Sequence, residues 1–424
     1  MTDLPECFRL RQRFTSAAIE DLESAVSDAW KRTSAHLPIK PGQRVAIGVG
    51  SRGIANLAEI VAATVDRVKS GGGIPIIIPA MGSHGRATAE GQEQVLRGLG
   101  IAPESMGCEV RSVLQPVTLG ELPSGLPVCC DAVAAESDHV IIINRIKPHT
   151  RLVGRLQSGL VKMLLIGLGK NVGAAAYHRA FADFDYDLES VAADALKVLL
   201  SKVPIRMGLA VIEDAFDEVS HVEAVTSDQF LERERVLLDR ASSLLPKLPF
   251  GHADLLIIDH IGKEISGTGM DTNVIGRKFH DKYVPPGQLP RMDQIFVRGL
   301  TEKTAGNATG IGIAEYCRSE LVEQIDRPAT WINCLTGRHV TAASIPMHFD
   351  TDREVLEAAL TQSGSTDHRR ARWMWIANTL RLDEVVCSET FLDEARRRDD
   401  LEVISECQPL GFDDDGQLIE AFQR

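Results

Sequence analysis

No C-x-x-C pair occurs among the eight cysteines, Cys7, Cys108, Cys129, Cys130, Cys317, Cys334, Cys387 and Cys407. Their scatter over so long a chain suggests no disulfide framework and argues against a cysteine-built zinc site. The adjacent Cys129 and Cys130 read instead as small buried hydrophobes in or beside a strand. Positive charge is also in short supply, with 46 Lys and Arg against 59 Asp and Glu and a formal net charge of −13. That balance argues against nucleic acid as a partner, because polyanion-binding surfaces are usually basic. No apolar run is long enough to cross a bilayer. The opening "MTDLPECFRLRQRF" mixes charges of both signs and lacks the apolar core of a secretory signal. These absences place the expected protein in the cytoplasm, with no membrane partner.

What is present is an ordinary globular composition, 44% hydrophobic and 25% charged over 424 residues, enough for two or three domains. Short β-rich runs alternate with longer helical patterns. "RVAIGVG" (44–50) precedes an amphipathic stretch from Ile54 to Lys69, and "GIPIIIPAMG" (73–82) precedes "TAEGQEQVLRGLG". "HVIIINRI" (139–146) and "RMGLAVIED" (206–214) supply further strands. This alternation predicts α/β architecture with mainly parallel sheets. A charged helix over Ser227 to Leu245 is broken by Pro246 and Pro249 before a new strand at Leu255. The expected division is therefore two α/β domains, 1–245 and 246–424, with an active site in the cleft between them. The second half continues in the same style through "QIFVRGL", "ATWINCLTG", "HVTAASIP", a helix near 352–362 and "DEVVCSET". "KYVPPGQLPR" (282–291) is too proline-rich for regular structure.

Gly48-x-Gly50-x-x-Gly53, at the end of the first strand run, has the written form of a dinucleotide fingerprint. The acidic residue that should end the second strand is missing, since "IPIIIPA" runs into "MGSHG". NAD binding is disfavoured on that ground. The turn does set Ser51 and Arg52 at a strand end, where ligands of open α/β sheets collect, and Arg52 suits a carboxylate or phosphate. "GSHGR" sets His84 and Arg86 after the second strand, and "NRIKPHTR" sets Arg145, Lys147 and His149 after the third. If the three strands are parallel neighbours, Arg52, His84 and His149 converge on one sheet edge. Two such imidazoles make an acid–base pair. Lys162, in "SGLVKMLLIGLG", has apolar neighbours on both sides. Its alternatives are snorkelling, pairing, loss of charge or covalent use. His178 follows sixteen residues later, and alone it would read as structural.

Taken together, "GSHGR", "KPH", "SGLVK" and "YH" resemble the signature of the nickel-dependent lactate racemase family. The resemblance spans about residues 40 to 215 and continues loosely through "LLIIDHIGKEI". It implies a nickel-pincer nucleotide attached covalently through Lys162, with His178 as the protein ligand to nickel. Ser51, Arg52 and Lys147 become cofactor contacts, and His84 and His149 the two general bases, one for each face of a small-molecule 2-hydroxy acid. The implied activity is racemisation or epimerisation by reversible hydride transfer. Loading of the cofactor implies transient contact with its biosynthetic proteins, and material made without them is expected to be the apo form. A homo-oligomer is compatible with the reading.

The sequence departs from the family in three places. The first turn is "GSRG", without the family's acid and proline, and "RLVGRLQ" lengthens the interval before Ser158. In the second half, "GKEISGTGMDTNVIGR" keeps Lys263 and Glu264 but then offers Thr268, Gly269 and Asp271. Less bulk and an added carboxylate point to a larger or more polar acid, such as a sugar acid. Lys263, Asp271 and Asn273 are the expected substrate contacts, with Arg52 on the substrate carboxylate. The glycine-dense 266–277 loop reads as functional, and 304–316 is left open between a second such loop and a helix entry. The rivals are an NAD-dependent oxidoreductase and a catalytically silent homologue that binds a metal or cofactor.

Overall fold

The structure, a computed structural model, describes residues 4–33, 37–51, 53–278, 284, 288–363 and 367–422. The chain forms two units, Thr15–Leu245 and a second built from Met1–Phe14 with Pro246–Arg424. Residues 4–14 therefore belong to the second unit and not to the N-terminal domain to which the sequence pattern assigned them. The cause is long-range pairing: strand Cys7–Gln12 lies antiparallel between Glu384–Ser388 and Leu401–Val403.

The Thr15–Leu245 unit is built on a six-stranded sheet. Its spatial order is Glu109–Val110, Ile74–Pro79, Arg44–Val49, His139–Arg145, Ile205–Glu213 and Val219–Thr226. All neighbours run parallel except the last pair. The near-continuous apolar run of the fourth strand is explained by burial on both faces. Val140 and Ile142 enter one core with Leu160, Leu164 and Leu196, while Ile141 and Ile143 enter another with Leu57, Ile60 and Leu96. Helices Leu57–Ser70 and Ala89–Gly98 follow the first two strand runs. A two-stranded hairpin, Pro116–Glu121 with Pro127–Asp131, carries the buried Cys129 and Cys130.

The chain leaves Arg44–Val49 for Ile74–Pro79 on one side, then returns to His139–Arg145 on the other. This reversal makes a topological switch point at the carboxyl ends of the central strands, the place where open α/β sheets bind ligands.

The second unit holds an eight-stranded sheet, whose strands from Met347–Phe349 across to Trp373–Ile376 are parallel. Glu384–Ser388 and the two strands beyond it are antiparallel. "ATWINCLTG" forms the helix Arg327–Thr336, and "HVTAASIP" contributes one 3-10 turn. Half of the proline-rich 282–291 stretch lies outside the described residues. All eight cysteines are free thiols. Among the described residues no single helix is long and apolar enough to cross a membrane. The apolar pair Leu160–Gly167 and Lys170–Ala180 bends by 111°, and most of its side chains are buried in the core.

Candidate active site

Ser51 and His84 follow adjacent parallel strands paired Val49 to Pro79 at their ends. The pairing brings the Ser51 hydroxyl into a short hydrogen bond with His84 Nδ1. The turn after His84 is tight. Gly85, Arg86 and Ala87 have φ of 65°, 58° and 52°, a conformation free for glycine but costly for the other two. An added carbon on Gly85 would meet Gln92 N at 2.5 Å, so glycine is required there. Buried Gln92 fastens the turn, its Nε2 donating to Gly82 O at 2.9 Å and His84 O at 3.4 Å. Arg52 lies outside the described residues.

His149 sits in a loop closed at its base. Lys147 N donates to Ser158 O at 2.9 Å, and Ser158 N returns a bond to Lys147 O at 3.3 Å. The inserted "RLVGRLQ" thus forms most of a compact loop. Gln157 Oε1 accepts from His149 N at 2.8 Å, while Gln157 Nε2 donates to Gly154 O at 2.9 Å. His149 Nδ1 accepts from the backbone N–H groups of Arg151 and Leu152, each at 3.0 Å. Arg151 donates to the Tyr186 hydroxyl at 2.7 Å and lies over its ring.

Lys162 ends the first helical turn after the loop, Leu160–Lys162, and is half-buried among buried neighbours. Two polar contacts fix that turn. Asn144 Nδ2 donates to Gly159 O at 2.7 Å, and the fully buried Glu234 accepts from Val161 N at 2.8 Å. A π-helical turn, Met163–Gly167, follows; such turns cluster at functional sites. Helix Lys170–Ala180 then presents an exposed His178 in its last turn, edge-on to Phe181 with ring centroids 5.3 Å apart.

The glycines of the written fingerprint do a different job from cradling a pyrophosphate. A carbon added to Gly50 would meet Met163 Cε at 2.8 Å, and one on Gly48 would meet Ile142 Cγ2 at 3.2 Å and Leu168 Cδ2 at 3.6 Å. The missing side chains let the Lys162-bearing segment lie close on the strand.

Two site-supporting groups escaped the sequence reading. The fully buried lysine is Lys170, whose Nζ lies 2.8 Å from Asp131 Oδ2, 2.5 Å from Pro79 O and 3.4 Å from Gln92 Oε1. Burial lowers its pKa, and Asp131 opposes that shift. The available signals were a lysine inside an apolar run and an aspartate ending the apolar "PVCCD". Glu213, at the end of strand Ile205–Glu213, pairs with Arg145 and accepts from Ala55 N at 2.7 Å, anchoring the loop after Ser51.

Lys263, Asp271 and Asn273 lie in the second unit. Lys263 Nζ donates to Gly267 O at 2.7 Å. Asp271 caps the short helix Thr272–Ile275, its Oδ1 accepting from Asn273 N and Nδ2, both at 2.8 Å. Burial lowers the nearby Lys278 to about 8, with Asp271 opposing. The two glycine-dense loops interlock: an added carbon on Gly269 would meet Thr309 O at 2.1 Å, and one on Gly310 would meet Thr268 O at 1.8 Å.

Residues 13–186 match the lactate racemase N-terminal domain family. A solved structure, the lactate racemase apoprotein from Thermoanaerobacterium thermosaccharolyticum, aligns with a TM-score of 0.54 at 13% identity. The alignment covers 89% of this chain and 99% of that one. No curated protein matches the chain in sequence. The structural likeness shows the fold, and the expected α/β class is the one observed. The lactate racemase-type span contains His84, His149, Lys162 and His178, whereas Glu213, Glu234, Lys263, Asp271 and Asn273 lie beyond it.

Proposed function

We propose that the chain is an isomerase that inverts C2 of a 2-hydroxy acid, working with a nickel-pincer nucleotide. The observation that carries this reading is the Ser51–His84 pair at the sheet's switch point, in a lactate racemase-type domain that also carries Lys162 and His178. The residues present fit the cofactor. Lys162 offers the amine for covalent attachment and His178 one imidazole for nickel. The nearby Cys129 and Cys130 thiols are pushed up by burial, so soft sulfur donors come from the cofactor and not from the chain. When bound, that group supplies a reversible hydride acceptor next to C2.

The chain's own residues handle the protons and the geometry. When Ser51 accepts from Nδ1–H, the Nε2 lone pair of His84 is left to take the substrate hydroxyl proton. His149 serves the substrate from its closed loop. Arg52 holds the substrate carboxylate, and Ser51, Arg52 and Lys147 contact the cofactor. Lys263, Asp271 and Asn273 are substrate contacts, and the changed "SGTGMD" favours a larger or more polar acid than lactate, such as a sugar acid.

The test is to produce the chain together with the cofactor-making enzymes and incubate it with single stereoisomers of 2-hydroxy and sugar acids. Chiral chromatography should show the C2-inverted isomer, and inversion should vanish in Lys162→Ala. A loaded chain that leaves every stereoisomer unchanged, or that oxidises one only with added NAD, contradicts the proposal.

A further inference from the structure

Helix Arg327–Thr336 is amphipathic the wrong way round. Its buried side, Thr330 and Cys334, is small and polar. Thr330 Oγ1 accepts from Ala308 N at 3.0 Å, and Cys334 Sγ donates to Thr309 Oγ1 at 3.8 Å. Its outer side carries Trp331, Ile332 and Leu335, which stay 54%, 65% and 65% exposed. A surface helix normally turns its apolar stripe inward. The apolar surface continues along the chain through Val340 and Ile345 to Met347, which are 61%, 43% and 63% exposed. Six of the fourteen large apolar side chains exposed among the described residues thus fall within seventeen successive positions. Single exposed apolar residues need no explanation, whereas such a concentration marks an interaction surface.

Met347 also begins the strand Met347–Phe349, at one edge of the eight-stranded sheet. Met347 N donates inward to Glu315 O at 3.2 Å. Alternation along a parallel ladder therefore turns the N–H and C=O of His348 outward.

The occupant follows from charge and area. From Thr330 to Phe349 the one Asp, Glu, Lys or Arg is Arg338, in a chain of formal net charge −13. Two copies repel each other over most of their surface and can approach where that charge is missing. A partner selected by opposite charge would have almost nothing to read here. The six side chains expose on the order of 600 Å², the upper end of what a monomer shows and near the ~800 Å² that each partner buries in a stable dimer. Apolar surface is also self-complementary, as a twofold contact requires.

We infer that this face of the second unit is the contact between two copies of the chain, with Trp331 as its anchor. The inference stands apart from the isomerase reading.

Sedimentation equilibrium of the full chain, without cofactor and at micromolar concentration, is the test. A mass of twice 46.2 kDa is expected. Leu335→Glu should weaken the dimer by at least about thirtyfold, the scale of an interface hot spot, with the same helix content by circular dichroism. Trp331→Ala, which adds no charge, should weaken it in the same direction. Val236→Glu places the same charge at an exposed apolar position of another helix, Phe230–Leu244, and should leave the dimer intact. A monomeric wild type overturns the inference and leaves the face to another occupant, such as a different protein. A dimer that survives both Leu335→Glu and Trp331→Ala, or that Val236→Glu weakens as much as Leu335→Glu does, overturns it too.

Discussion

Lys170 Nζ lies 2.8 Å from Asp131 Oδ2, and neither side chain exposes any surface. The pair joins the first residue of the helix that bears His178 to the end of the hairpin strand Pro127–Asp131. Through Pro79 O and Gln92 it also reaches the turn that carries His84. Removing one partner leaves a buried charge uncompensated, which costs about 3–5 kcal/mol. Lys170→Met should therefore lose that much in urea unfolding. Lys170→Met with Asp131→Asn should recover part of it, because the amide keeps the cap on Ala134 N. A single variant as stable as wild type would show that the pair contributes nothing.

Glu234 gives the fold a pH dependence. Burial pushes its carboxyl from 4.5 up to about 7, with the Val161 and Leu160 N–H groups pulling the other way. Below pH 4.5 both folded and unfolded chains carry the proton, and no penalty exists. As pH rises through 7 the unfolded chain is already ionised, so this group's contribution to stability is lost, by roughly 3 kcal/mol in full. Glu234→Gln should unfold at a higher urea concentration than wild type at pH 8 and at a similar one at pH 4. Parallel pH curves for the two proteins would contradict this.

The close approach of the Lys162 segment to the sheet makes a graded prediction. A methyl on Gly50 meets only the flexible tip of Met163, whereas one on Gly167 meets the backbone Ala80 O at 2.6 Å. Gly167→Ala should cost about 1–3 kcal/mol by overpacking, and Gly50→Ala less. Thermal unfolding of both variants checks the order, and the reverse order would refute the packing role.

These contacts mark where the sequence stopped being informative. Strands such as His139–Arg145 were legible because burial on both faces leaves a continuous apolar run, and the three strands that precede Arg52, His84 and His149 are parallel neighbours, as the expected convergence required, with Arg52 itself outside the described residues. Strand Cys7–Gln12 was not legible, because its partners lie nearly four hundred residues away and its pattern names no neighbour. Lys170 drew no reading from the sequence, because its carboxylate partner Asp131 is distant in the chain. The glycine fingerprint, set aside for want of the acidic residue, left the glycines' actual job unread, because a glycine that admits a packed methionine is written the same way as one that admits a phosphate.

Ser51 should matter for turnover and little for stability. Its hydroxyl orients His84, and it is only half-buried. Ser51→Ala in the loaded enzyme should lower kcat by about tenfold, the worth of roughly 1.4 kcal/mol for one hydrogen bond, with Tm within a few degrees of wild type. An unchanged kcat would separate the serine from the mechanism.

The most direct measurement is the intact mass and nickel content of the chain produced alongside the cofactor-making enzymes. A covalent adduct that maps to Lys162, with about one nickel per chain lost in His178→Ala, is the expected result. An unmodified, nickel-free chain, under conditions that load a working lactate racemase, would contradict the cofactor assignment.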